Sequence, residues 1–290
     1  MKIAKVITTS FVPRVVREKT GICGDPAGFF VHSQNFTTNE SILELIKLNI
    51  KLEEQFNPGV DVDLIIINND SGYRPGAEYL DQLTKRKLMR GTIRVFHREN
   101  IGRSFGGYNY AFLRLRDQYD YFIFTEDDIV LWGEGYALTG LEAFNSSQAC
   151  GFIAYQGVTK KFNEYSLDDS IHVHGGVGIT STKVLDTVVS HYGMLPHATS
   201  TESQSYESII KNGEVDFTNK IHKIGFNICE LKHEVKLYGF AYDLMRDIKV
   251  PRYASGLNLM NHEANKLIRT NFYALRCKMS SLFNSQNDTI

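Results

Sequence analysis

Short apolar runs recur along the chain, and most of them stop at small polar residues or glycine. Lys2 to Thr8 reads as a buried strand, and Val62 to Ile67 reads as another that ends in Asn68-Asn69-Asp70-Ser71-Gly72. Thr92 to Phe96 and Tyr121 to Phe124 repeat the pattern, with a helix through Tyr108 to Arg116 between them. Ser41 to Phe56 has helical spacing, with Ile42, Leu45, Ile46, Asn49 and Leu52 on one side, a start at Glu40-Ser41 and a stop at Asn57-Pro58-Gly59. Further on, Gly151 to Ala154 and Gly176 to Ile179 predict short strands, and Leu185 to Tyr192 predicts a helix. From Gly213 a helix groups Val215, Asn219 and Ile221 or His222 and closes at Gly225, before a strand from Phe226 to Leu231 that leads to His233-Glu234.

Apolar strands separated by helices predict an α/β fold, a single domain with a mainly parallel sheet flanked by helices. Such sheets bind ligands at the carboxyl ends of their strands, where the polar clusters of this chain fall. The domain is expected over residues 1–235, followed by a helical extension over 236–290 packed on it. Phe11 to Asn39, with Gly21, Gly24, Pro26 and Gly28, reads as a long excursion, either a loop of the length that is often functional or one that conceals a short hairpin.

Composition narrows the field. The 290 residues are 42% hydrophobic, ample for a core. Lysines and arginines number 32 against 33 acids, which gives no overall attraction to nucleic acid, so an anionic ligand must be met locally. Cys23, Cys150, Cys229 and Cys277 are too scattered for a zinc motif and suggest reduced thiols in a cytoplasmic protein. No run approaches the roughly 20 apolar residues of a membrane span, and the opening Met1 to Ser10 runs into a strand rather than a signal peptide. Ala264 to Phe283 has the spacing of a basic amphipathic helix, either packed on the domain or in peripheral contact with the inner face of a membrane.

The chemistry concentrates at Glu126-Asp127-Asp128, three carboxylates delivered by one apolar strand. Such a cluster is tolerated when it is solvated or when it binds a cation, and hard oxygen ligands suit Mn²⁺ or Mg²⁺. Asn100-Ile101-Gly102-Arg103 offers a turn with exposed amides and one cation, suited to a ribose or diphosphate, although glycine turns also join strands to helices without any ligand. His172 and His174 flank one residue, which suggests two acceptor-facing or simply exposed rings, a second metal being the lesser reading. Trp132 suits either stacking on a sugar or packing.

In their order and spacing these segments resemble nucleotide-sugar glycosyltransferases of family 2, which have the A-type glycosyltransferase fold. Asn68-Asn69-Asp70-Ser71 is similar to the motif ending the family's second strand, often Asp-Asp-Gly-Ser, and Glu99 to Ala111 to its Asn-x-Gly segment. Glu126-Asp127-Asp128 stands in place of Asp-x-Asp, and Glu214 to Phe226 resembles Asp-Val-Asp-Leu-x-x-Arg-x-x-x-x-Gly-Tyr. The chain departs from the pattern in having Glu at 126 and 214, and Asn68 where an aspartate often meets uracil.

The resemblance implies a metal-dependent inverting glycosyltransferase that moves a sugar from a nucleotide-sugar donor to a glycan or lipid-linked acceptor, as in cell-surface polysaccharide synthesis. It implies donor contacts at Thr9, Asn68, Asn69, Asp70, Asn100, Gly102, Arg103, Glu126 and Asp127, metal ligation by Asp128 and His233, and Glu214 as general base, with Asp216 turned elsewhere. Two other readings stand beside it. A sugar-phosphate nucleotidyltransferase would show a glycine-rich loop with Arg and Lys after the first strand, where this chain has Thr8-Thr9-Ser10-Phe11. A degenerate glycan-binding or scaffold domain would require that the carboxylates bind no metal.

Overall fold

The computed structural model describes residues 1–12, 38–155, 158–159, 172–199, 208, 210–232 and 237–240. Most of the expected excursion, His233, Cys23 and Cys277, and the amphipathic tail lie outside the described residues.

The first half of the chain alternates strands and helices: β1 (Ile3–Thr9), α1 (Asn39–Gln55), β2 (Val62–Asp70), α2 (Arg74–Leu83), β3 (Lys87–Leu88), β4 (Gly91–Glu99), α3 (Arg103–Leu115) and β5 (Tyr121–Glu126). The second half is more broken: β6 (Ile129–Leu131), α4 (Tyr136–Ser146), β7 (Cys150–Ala154), β8 (Val158–Thr159), β9 (His172–Val173), a 3₁₀ turn (His174–Gly176), β10 (Gly178–Ser181), α5 (Thr182–Tyr192), a π-helix (Ile210–Val215) running into α6 (Asp216–Lys223), β11 (Asn227–Glu230) and β12 (Tyr238–Phe240).

Eight strands form one sheet in the order β11-β7-β10-β5-β1-β2-β4-β3. β5, β1, β2 and β4 run parallel, and β7 and β11 also pair in parallel. Between these two groups β10 is antiparallel to both neighbours, and β3 closes the other edge antiparallel to β4. The expected mainly parallel sheet is therefore present, with two reversed strands that apolar runs alone do not reveal.

Every residue of β1 is buried, and side-chain alternation sends them to two separate cores. Ile3 and Ile7 join Ile42, Leu45, Ile46 and Leu52 of α1, while Ala4 and Val6 join Phe105, Tyr108 and Phe112 of α3 with Phe122, Phe124 and Phe217. Each fully buried aliphatic or phenyl side chain contributes about 1.5–3 kcal/mol relative to exposure. Lys5, on the face with Ile3 and Ile7, is fully buried too. It pairs with Glu53 of α1, with its ammonium 4.6 Å from the Tyr136 ring centroid and 4.7 Å from that of Tyr238. Tyr136 donates to Glu53 at 3.0 Å, so this buried ion pair is partly hydrogen-bonded as well as caged.

α1 starts one to two residues before the expected position because Thr38 and Ser41 form a reciprocal cap at Asn39. α3 begins at Arg103, just after Gly102, whose φ of 72° sets a left-handed turn at the cap. The strand expected at Gly176 starts at Gly178, because Gly175 and Gly176 both have positive φ (61° and 65°) and belong to the tight 3₁₀ turn. The helix expected from Gly213 is a π-helix up to Val215 and α-helical only afterwards. Past residue 235, β12 pairs antiparallel with β6, Tyr238 opposite Leu131. Among the described residues, no helix is long and apolar enough to cross a membrane.

Candidate active site

The parallel register brings the candidate residues to one edge of the sheet. Thr9 lies opposite Asn68, Asn68 opposite His97, and Thr8 opposite Glu126, so the carboxyl ends of β1, β2, β4 and β5 finish level with one another.

The acidic segment is split by its own geometry. Asp127 is buried, and its Oδ2 accepts a hydrogen bond from Thr9 Oγ1 at 2.8 Å. Glu126 and Asp128, on either side of it, are half-buried. Their charges meet at Tyr108: its phenol is held well above the ordinary tyrosine range, first by burial and then by the negative charges of Glu126, Asp128 and Glu214. The end of β5, the following turn and the π-helix thus each carry an acid whose charge acts on this buried ring. Tyr108 donates to the carbonyl of Gly175 at 3.2 Å, which ties α3 to the 3₁₀ turn.

That turn approaches the acids closely. A methyl group on Gly175 would stand 3.1 Å from Glu126 Oε2, and one on Gly176 would stand 2.9 Å from the Phe105 ring. A methyl on Gly213 would meet the same ring at 2.7 Å, so Phe105 packs closely on both glycines, the second of them in the π-helix that carries Glu214. π-Helical turns occur disproportionately at functional sites. Asp216, two residues on at the start of α6, lies 3.6 Å from Lys220, one turn further along the same helix.

At the end of β2, Asn68 and Asn69 are buried and Asp70 is exposed. Asn68 Nδ2 lies 3.0 Å from His97 Nδ1, and His97 Nε2 lies 2.9 Å from Asp81 Oδ1, a chain that selects the tautomer with the proton on Nε2. Asn69 is engaged at both ends: Arg98 donates to its carbonyl and its amide donates to the backbone oxygen of Arg103 at 3.3 Å. Arg98 also donates to Ile101 O at 2.6 Å, so Arg98 and Asn69 together hold the turn at Asn100–Arg103. Burial lowers the Arg98 guanidinium pKa. Asp70 accepts from Gly72 N at 2.9 Å, and Asn100 Nδ2 donates to Ser10 Oγ at 3.3 Å. Gly102 is packed so tightly that a methyl there would stand 2.7 Å from Ala198 O, while Arg103 is exposed.

The structure therefore brings together Thr9, Asn68, Asn69, Asp70, Asn100, Gly102, Arg103, Glu126, Asp127, Asp128 and Glu214 around the carboxyl edge. His233 lies outside the described residues, as do the side chains of His172 and His174. Trp132 has Gly239 of β12 pressed against its indole and donates its backbone amide to Leu237 O at 2.8 Å. An open depression of about 1250 Å³ lined by Lys2, Arg94, Arg116, Asp120 and Lys183 lies at the opposite, amino end of β1 and β5.

Four contributors were not singled out from the sequence. Tyr108 and Phe105 look like ordinary core aromatics on a helix, and Arg98 like a solvated cation at a strand end. Asn49 did leave a signal, as a polar residue at an apolar position of α1. It is fully buried, and its amide donates to Asp127 O at 3.1 Å.

Among the described residues, no three His, Cys, Asp or Glu side chains are arranged to enclose a metal ion unaided. The oxygen donors of Glu126 and Asp128 nonetheless fit a hard divalent cation of the Mg²⁺ type, which is commonly bound by one or two carboxylates with substrate phosphates completing the shell.

No protein-family model matches the chain, and no curated protein matches its sequence. Among solved structures, the chain is similar to the 1–349 fragment of TarS from S. aureus, with a TM-score of 0.46 and 13% identity over 82% of this chain and 60% of that one. It is similar also to the mannosyltransferase PcManGT from Pyrobaculum calidifontis in complex with GDP-Man and Mn²⁺, with a TM-score of 0.41 and 10% identity over 79% and 54% of the two chains. A third is the galactosyltransferase LgtC in complex with donor and acceptor sugar analogs, with a TM-score of 0.37 and 11% identity over 78% and 72%. The chain spans 36% of full TarS. At such identities, activity has to be read from the residues of the chain itself.

Proposed function

We propose that the protein is a metal-dependent inverting glycosyltransferase that transfers a sugar from a nucleotide-sugar donor to a glycan or lipid-linked acceptor, in the synthesis of a cell-surface polysaccharide. The observation that supports this reading is the placing of Glu126, against the Gly175 turn, and Asp128 at the carboxyl edge of a parallel sheet, with Glu214 on the π-helix that packs on Phe105. Like charges brought together in a half-buried place repel, and a cation bound with an anionic diphosphate relieves that repulsion.

In this reading Asp128, with His233, holds Mn²⁺ or Mg²⁺, and Glu126 faces the ribose or an ion-bound water. When bound, the ion supplies Lewis-acid neutralisation of charge on the donor diphosphate. Asn68 to Asp70 meet the nucleoside, and the turn at Asn100–Arg103 offers Arg103 to the diphosphate. Glu214 takes the proton of the acceptor hydroxyl as its oxygen bonds to the anomeric carbon. The bond from that carbon to the diphosphate oxygen breaks on the opposite face, and the nucleoside diphosphate departs with the bonding pair, so the anomeric configuration inverts.

The deciding experiment is a thermal-shift screen of nucleoside diphosphates and nucleotide sugars with and without Mn²⁺. A true donor nucleotide at one hundred times its dissociation constant stabilises the fold by roughly 2.7 kcal/mol. A flat response to every nucleotide, with and without the ion, would overturn the reading.

A further inference from the structure

α1 presents an apolar stripe to the core, and in the middle of that stripe stands an amide. Asn49 is fully buried among Ile42, Leu45, Ile46 and Leu52, and its Oδ1 is buried without a hydrogen-bond donor. A leucine there would suit the surrounding core better, because an amide taken from water has to recover its hydrogen bonds. The use of this amide lies at its other end. Nδ2 donates to Asp127 O at 3.1 Å and reaches Ile129 O at 3.5 Å, the two carbonyls that flank Asp128. From the opposite direction, Thr9 at the end of β1 donates its hydroxyl to the Asp127 side chain at 2.8 Å.

Asp127 is thereby gripped twice, by its main chain from α1 and by its carboxylate from β1. A peptide segment held at its backbone and at one side chain cannot rotate about its own axis, and that rotation is what would swing Asp128 away from the Tyr108 side of the turn. We infer that Asn49 and Thr9 are positioning residues that fix the orientation of Asp128 toward its cation, with Asp127 serving as their strap. This rests on the metal-binding reading proposed above. Asn49 touches neither donor nor ion; it acts through the turn.

The test uses the full chain and follows Mn²⁺ by loss of the free-ion electron paramagnetic resonance signal, alone and with saturating uridine or guanosine diphosphate. Asn49→Leu and Thr9→Val remove the two grips with little change of volume, and Thr9→Ser keeps the hydroxyl. Both deletions should weaken Mn²⁺ binding by about tenfold to a hundredfold, the scale of one lost hydrogen bond to a charged or buried group. Thr9→Ser should bind as the unaltered protein does. Melting temperature is read in parallel, since a merely structural role lowers it without moving the affinity of the folded fraction. Unchanged Mn²⁺ affinity in the folded variants, or a loss in Thr9→Ser as large as in Thr9→Val, overturns the inference and leaves the metal reading intact. Absence of Mn²⁺ binding by the unaltered protein with either nucleotide overturns the metal reading and the inference with it. If Asn49→Leu does not fold, the Thr9 pair decides.

Discussion

Asp128 and Glu214 both place charge near the buried Tyr108 phenol, yet in the proposed reaction they touch different partners, and substitution should separate them. Asp128→Asn removes a ligand charge at constant size, so Mn²⁺-dependent donor binding should be lost while the fold survives. A base meets the acceptor hydroxyl and not the nucleotide, so Glu214→Gln should keep donor affinity while turnover falls by a factor on the order of 10²–10⁴. Calorimetric titration with the nucleoside diphosphate and a turnover assay read the two effects independently. Turnover at the unaltered level in the Gln variant would move the base elsewhere, with Asp216 the next acid to test despite its ion pair with Lys220. The acidic triplet was legible because consecutive carboxylates after an apolar run have no packing explanation. Tyr108 was not, because a tyrosine on an apolar helical face is ordinarily core, and only the fold brings acids from three elements to it. The strand from Lys2 to Thr8 reads as buried, yet the partner that a buried Lys5 needs lies on α1, with rings from α4 and β12 beside it, and the sequence does not show that these meet.

At the scale of elements, the seating of the π-helix depends on Phe105, whose ring is held between the backbones of Gly176 and Gly213. Gly213→Ala would bring a methyl 2.7 Å from that ring, so either the ring or the helix has to move. Overpacking of this kind typically costs about 1–3 kcal/mol, and here it should also shift Glu214 and lower turnover more than donor affinity. Phe105→Leu frees space, so the double variant should recover part of the loss, a coupling that a double-mutant cycle measures as non-additivity. Additive effects would show that the contact does not set the position of the helix. The π-helix itself was beyond the sequence, since Gly213 and Glu214 fit the start of an ordinary α-helix. The cap at Thr38 and the turn at Gly102 were closer to view, because capping side chains and left-handed glycines act through their immediate neighbours. Strand direction was not visible: Gly176 to Ile179 reads as a short strand without showing which way it runs, and only its pairing with β5 and β7 shows that it is antiparallel to both.

For the molecule as a whole, alternation of apolar runs and helices was enough to infer a covered, mainly parallel sheet, because only two-sided burial tolerates strands without polar alternation. The same burial on both faces predicts how the fold fails in alkali. Tyr108, Tyr136, Tyr155 and Tyr238 are buried, and burial is the first cause that raises each phenol above its ordinary value. Tyr155 and Tyr238 stack with centroids 4.8 Å apart, and Tyr155 donates to Tyr136 O at 2.8 Å, so three of the four share one side of the sheet with the Lys5–Glu53 pair. In the unfolded chain each phenol ionises near pH 10, while in the folded chain it stays protonated. Between pH 10 and the raised folded values the native state therefore binds more protons, and stability falls as pH rises. Below pH 10 both states are protonated and these groups contribute no slope. One such tyrosine gives about 1.4 kcal/mol per pH unit, and four acting together give roughly 5 kcal/mol per unit, comparable to the entire stability of many domains. Denaturant titrations from pH 9 to pH 11.5, with phenolate absorbance followed in parallel, should show four phenols, beyond the other eleven tyrosines of the chain, that ionise only as the fold is lost. Tyr155→Phe should flatten the slope by about one proton's share. Ionisation of all fifteen tyrosines in a chain that remains folded would mean that the four buried rings are reached by solvent in the native state.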